Sequence, residues 1–154
     1  MQYVRRRRKG RSRNNDCEIN PKHETRNPKQ IRMSEIQNHK QYDLEDRTLK
    51  FAKDIRNFVG KLSKIIANIE DGKQLIRSSG SIGANYIEAN EALSKKDFIM
   101  RIKISRKEAK ESGLWLALIS ANNELLEKER KSLLAESREL MMILSSIMRN
   151  SVEK

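Results

Sequence analysis

From Leu44 onward apolar residues return every three or four positions, and the spacing predicts four α-helices. In the first, Leu44, Thr48, Phe51, Ala52, Ile55, Phe58, Val59, Leu62, Ile65, Ile66 and Ile69 share one face, so a helix is expected from about Leu44 to Ile69. Asp43 is its expected N-cap, and Asp46 adds negative charge to the first turn. Gly60 is a weak point inside it, and Asp71-Gly72 reads as the following turn. A second helix is expected from about Lys73 to Leu93, with Leu75, Ile76, Ser79, Ile82, Gly83, Tyr86, Ala89 and Leu93 inward. Ser94 then reads as the N-cap of a third helix, with Asp97 reaching back to close a capping box. That helix should continue to about Asn122, where Asn122-Asn123 breaks it. The fourth is expected from about Glu127 to Asn150, burying Leu133, Ser137, Leu140, Met141, Leu144, Ile147 and Met148. Four helices with short connections pack most economically as an all-α, antiparallel up-and-down four-helix bundle.

Two of these helices depart from a simple amphipathic pattern. The second is crowded with small residues, Ser78, Ser79, Gly80, Ser81, Gly83 and Ala84. Glycine inside a helix costs roughly 1 kcal/mol relative to alanine, so close approach of a neighbouring helix is the expected compensation. On the third, Phe98, Ile102, Ser105, Ala109, Ser112, Leu116 and Ile119 form the core stripe. A second row, Met100, Ile104, Glu111, Trp115 and Leu118, falls roughly 120° away on the same wheel. Either the bundle covers this row with its own neighbours, or the row is an oligomer interface anchored by the tryptophan. The interface is the preferred reading. Lys96, Lys103, Lys107 and Lys110 occupy the remaining side, with Arg106 at its edge.

The chain has 154 residues and a formal net charge of +12. That length suits one domain with a modest core. A charged fraction of 35% with only 5% aromatics fits a solvated bundle better than a β-sandwich or a deep-pocketed enzyme. The excess charge is concentrated at the front: residues 1–41 hold 12 basic and 4 acidic side chains, residues 42–154 hold 21 and 17. Residues 1–41 therefore read as a disordered basic arm preceding a bundle domain at 42–154. Two beginnings suit the sequence, Met1 and Met33, and the arm before Met33 is read equally as a true extension or as an over-extended start. No apolar run follows the leading arginines, and the uncharged stretch 112–123 is too short and polar to span a bilayer. With a single cysteine, Cys17, no internal disulfide is expected and a cytoplasmic setting is the simplest reading.

Catalysis is not expected. His23 and His39 both fall in the arm, and with Cys17 they make no metal-ligand spacing. Gly80-Ser81-Ile82-Gly83 lacks the GK[ST] that a phosphate loop requires. Glu88, Glu91, Glu108 and Glu111 have no histidine in the bundle with which to build a di-metal centre, so no cofactor is expected. Glu108 and Glu111 are expected to pair with basic residues such as Arg77 or Arg101, across or between subunits, and Asn85, Tyr86 and Asn90 to be polar packing at a seam. Nucleic acid is the remaining candidate partner. Arg5, Arg6, Arg7, Arg8, Lys9, Arg11 and Arg13 would bind phosphate with little sequence preference. Lys103, Arg106, Lys107 and Lys110 would extend that footprint, unless they are merely the solvated face of a helix. No motif for reading bases is present.

Gln74-Leu75-Ile76-Arg77-Ser78, Ser81 to Tyr86, Ser94 to Ile99, Glu108 to Leu116 and LLAESRELMMILSSI at Leu133–Ile147 carry a family likeness. From about Asp43 to Glu153 the chain resembles the small bacterial four-helix bundle family that includes the 23S ribosomal RNA intervening-sequence proteins. The resemblance implies a homo-oligomeric ring, commonly a pentamer. A related branch serves as accessory subunit of diversity-generating retroelements, binding nucleic acid and a reverse transcriptase. The long arm and Gly113-Leu114, where many members carry a larger polar residue and an aromatic, depart from the family pattern. The expectation is a non-catalytic oligomer that associates with RNA or DNA through basic surfaces. The alternative is a protein-binding scaffold or accessory subunit for a nucleic-acid enzyme.

Overall fold

In the computed structural model the backbone is described for residues 28–152 and the side chains for residues 44–152. Four helices follow one another, α1 (Pro28–Gly60), α2 (Ile66–Asn90), α3 (Lys95–Leu118) and α4 (Glu124–Val152). Each packs on its neighbours in sequence, and α1 closes the ring against α4. This is the expected antiparallel four-helix bundle. Phe51, Ile55 and Phe58 from α1, Leu75 and Ile82 from α2, Ile102 and Leu116 from α3, and Leu140 and Leu144 from α4 are fully buried. Burying such side chains stabilises the fold by about 1.5–3 kcal/mol each.

α1 starts earlier than the spacing of apolar residues suggested. It already includes residues 28–41, placed in the arm from sequence, and Asp43 lies within the helix rather than at its N-cap. Pro28 stands at the first helical position, where a missing N–H leaves no bond unmade. Residues 1–27, including the arginine cluster, Cys17 and His23, lie outside the described residues, as do 153 and 154.

The first turn also falls elsewhere. α1 ends at Gly60, with Lys61 N–H on the Phe58 carbonyl (3.0 Å) and Leu62 N–H on that of Val59 (3.2 Å), and α2 begins at Ile66. Ile65, Ile66 and Ile69, expected inward on the first helix, are therefore exposed, Ile66 by 82%. Gly72 is no turn residue. It sits inside α2 where α1 crosses, and a Cβ there would lie 2.9 Å from Val59 Cγ1. Leu93, also expected inward, lies beyond the end of α2 and is fully exposed.

The other caps follow local chemistry. Ser94 Oγ accepts from Asp97 N–H at 3.1 Å. The reciprocal half of the box is absent among the described residues, because the Asp97 carboxylate turns to Arg101, 3.7 Å away. α3 ends at Leu118, four residues before the expected Asn122, since Ile119 is extended. Asn123 Oδ1 accepts from Leu126 N–H at 2.9 Å, so α4 begins at Glu124 rather than Glu127.

Candidate nucleic-acid interface

The position of α3 is set by hydroxyl groups. Ser78 and Ser112 share a hydrogen bond of 2.9 Å across the α2/α3 seam, and Ser105 Oγ donates to the Ile82 carbonyl at 2.8 Å. All three serines are buried. Their small volume brings the helices close, and their hydroxyls are satisfied inside the seam. Gly113 plays the equivalent part against α4, where a Cβ would lie 3.2 Å from Ser137 Oγ. The small residues of α2 are shared between two neighbours. Ser78 and Ser79 are buried in the bundle, while Gly83 admits Thr48 of α1, whose Oγ1 would stand 3.0 Å from an added Cβ.

With its inner side fixed, α3 presents two strips to solvent. Lys103, Lys107 and Lys110 are exposed and Arg106 is half-buried, on the side toward α4. Among the described residues none of these four is in an ion pair, whereas Arg47, Lys50, Lys61, Lys128 and Lys131 of α1 and α4 all are. Arg47 is the firmest of these, with Nε on Glu136 Oε1 at 2.6 Å and Nη2 on Oε2 at 2.9 Å. The hydrogen bonds it donates to Glu136 and Glu139 hold the Arg47 guanidinium above its usual range. The α1/α4 face is thus internally neutralised, and the outer strip of α3 is not.

The second strip holds the row expected as an interface. Met100 and Leu118 are 50% and 54% exposed, while Ile104, Glu111 and Trp115 are half-buried. Trp115 Nε1–H donates to Glu111 Oε1 at 3.3 Å. Burial, followed by the neighbouring Glu111 charge, raises the Glu108 carboxyl above its usual range. Within the described residues of one chain, Glu108 and Glu111 pair with neither Arg77 nor Arg101. Arg101 instead binds Glu88 and approaches Asp97, and Arg77 forms no ion pair among the described residues. Polar packing is confirmed at the α1/α2 seam, where Asn90 Nδ2 donates to Glu45 Oε1 at 2.6 Å. Tyr86 is buried beside it, and desolvation pushes its hydroxyl up. Asn85 only folds back on the Ser81 carbonyl at 2.9 Å.

Asn68 escaped the reading of the sequence. It is 2% exposed, donates to Ser63 Oγ (3.1 Å) and the Ser120 carbonyl (3.1 Å), and accepts from Ser120 N–H at 3.0 Å. It thereby joins the α1–α2 and α3–α4 loops. Its one legible signal was a polar residue interrupting an isoleucine run.

The sequence profile of the 23S rRNA-intervening sequence proteins matches residues 40–146. The chain belongs to that family. A solved structure agrees: a protein of unknown function from the S23 ribosomal protein family of Bacteroides thetaiotaomicron VPI-5482 is 35% identical, with a TM-score of 0.58. The match covers 68% of this chain and 97% of the other. Among curated proteins none matches. In the described part of this family member no group of three or more His, Cys, Asp or Glu side chains is placed to hold a metal. No described helix is long and apolar enough to cross a membrane.

Proposed function

We propose that the protein is a non-catalytic, homo-oligomeric member of the 23S rRNA-intervening sequence family that associates with RNA or DNA through basic surfaces. The observation that carries this reading is the run Lys103, Arg106, Lys107 and Lys110, which has no carboxylate partner among the described residues, while Arg47, Lys50, Lys61, Lys128 and Lys131 on α1 and α4 are paired. Such a strip meets phosphate without reading bases, and the arginines from Arg5 to Arg13 add sequence-independent contacts. The adjoining Met100, Trp115 and Leu118 row serves as the subunit interface, so that assembly multiplies the strip.

The test is binding of the nuclease-treated full chain to a structured RNA and to a DNA duplex across a salt series. Affinity should fall steeply as salt rises. Failure to bind either at low salt rejects the reading. A protein that co-purifies through nuclease and high salt supports the scaffold alternative instead.

A further inference from the structure

Where the cation strip of α3 ends, its seam with α4 opens into a shallow cleft of about 250 Å³. Ala117, Leu134 and Met141 supply apolar walls, and Leu134 and Met141 are themselves packed against the core. Gly113 gives the cleft its depth. A Cβ there would lie 3.2 Å from Ser137 Oγ and 3.7 Å from Leu134 Cδ1, so a side chain would begin to fill the space. Two exposed cations stand at the rim, Lys110 from α3 and Arg138 from α4. Neither has an ion-pair partner among the described residues, and no described carboxylate lines the cleft. An apolar floor therefore meets positive charge alone, in line with Lys103, Arg106 and Lys107. Pockets that enclose a whole small molecule hold roughly 300–1,000 Å³. This cleft falls below that range and suits a single flat ring system.

We propose that the α3/α4 cleft takes one unpaired nucleobase from a strand whose phosphates lie along the α3 strip, so that the protein prefers single-stranded nucleic acid to duplex. In a duplex the bases are stacked and paired, and only phosphate and sugar reach the strip. An unpaired base has free apolar faces and follows its phosphate into the cleft. Lys110 holds that phosphate. Arg138 lays its planar guanidinium over the outer face of the base, a contact that a lysine ammonium does not make. The charge at the rim selects this occupant: a polyanion carrying flat apolar groups matches strip and cleft together, whereas a neutral aromatic leaves both cations without a partner. Ser137 also lines the cleft, but its hydroxyl already donates to the Leu134 carbonyl at 2.9 Å, so any of the four bases fits. The inference rests on the reading of the α3 strip as a phosphate surface and adds Arg138 and the base that the strip delivers.

The test measures affinity of the nuclease-treated full chain for three RNA probes of one length: a mixed-sequence single strand, the same strand made abasic, and its duplex. The single strand should bind at least about fivefold more tightly than the abasic strand, the factor that one stacked base supplies. Two variants locate the base. Ala117→Leu fills the cleft from an exposed position, and Arg138→Lys keeps the charge while removing the flat cover. Each should bring the single strand down to the level of the abasic one and leave the salt dependence of abasic binding unchanged, with folding checked by helical circular dichroism. Equal affinity of the unaltered chain for single and abasic strands overturns the cleft and leaves the phosphate reading standing. A preference that survives both variants places the base elsewhere and overturns the assignment. No binding of any probe at low salt overturns the inference together with the reading on which it rests.

Discussion

Asn68 spends both ends of its amide on the far loop and its own, from a side chain that is itself buried. Truncation would take the partner from the N–H and C=O of Ser120, a loss of about 1 kcal/mol since water reaches these part-buried groups. Asn68→Ala should therefore lower the urea midpoint by the equivalent amount with the slope unchanged; a shift within error would show that the loops do not need the stitch. Glu127 is a second residue with a readable consequence. Arg130 grips it through Nε (2.8 Å) and Nη2 (2.7 Å) and donates from Nη1 to the Leu116 carbonyl (2.8 Å), tying α4 to the end of α3. That hydrogen bonding holds the Glu127 carboxyl down at about 2, against an ordinary 4.5. The folded pKa is depressed, so the stabilisation is complete above 4.5 and disappears as the pH falls toward 2. Melting curves of the native chain and Glu127→Gln should differ at neutral pH and converge by about pH 2. Curves that run parallel would contradict the assignment. The pair is partly exposed, and added salt should shrink the difference.

At the scale of the helices, the periodicity of apolar residues located α1 to α4 and most of their buried faces, because burial along a helix has a fixed angular signature. Turns were less legible. Gly60 and Gly72 offered two places to end the first helix, and the aspartate before Gly72 made it the better turn signal on local chemistry. Packing decided otherwise: the missing side chain of Gly72 lets α1 and α2 cross at Val59. Local propensity cannot report a clash with a residue on another helix. The glycines of α2 give this a quantitative form. A Cβ at Gly80 meets only Arg56 Nη2, at 3.8 Å, so Gly80→Ala should stabilise the bundle by about 0.5–1 kcal/mol. Gly72→Ala should destabilise it, since the β-branched Val59 has little freedom to withdraw. Thermal unfolding of the two variants decides the matter, and a gain at both positions would remove Gly72 from the crossing.

Over the whole molecule, the candidate site was legible only as composition and spacing. The sequence shows four cations on one side of α3, yet cations on a helix are ordinarily just solvated. What the structure adds is that the neighbouring α4, although rich in carboxylates, spends its glutamates on Arg47, Lys61 and its own Lys128, Arg130 and Lys131, and offers none to these four. That allocation depends on which helices are neighbours and is invisible along a single strand of sequence. The central claim is that the open strip of α3 contacts phosphate. The most direct test compares the full chain with Lys103→Gln, Arg106→Gln, Lys107→Gln and Lys110→Gln combined, measuring affinity for one structured RNA as salt is varied. Each lost phosphate contact should reduce the slope of log K against log salt by roughly 0.7–0.9. The account predicts weaker binding at every salt concentration and a slope shallower by at least one such step; identical slopes and affinities would place all the binding outside α3 and contradict it.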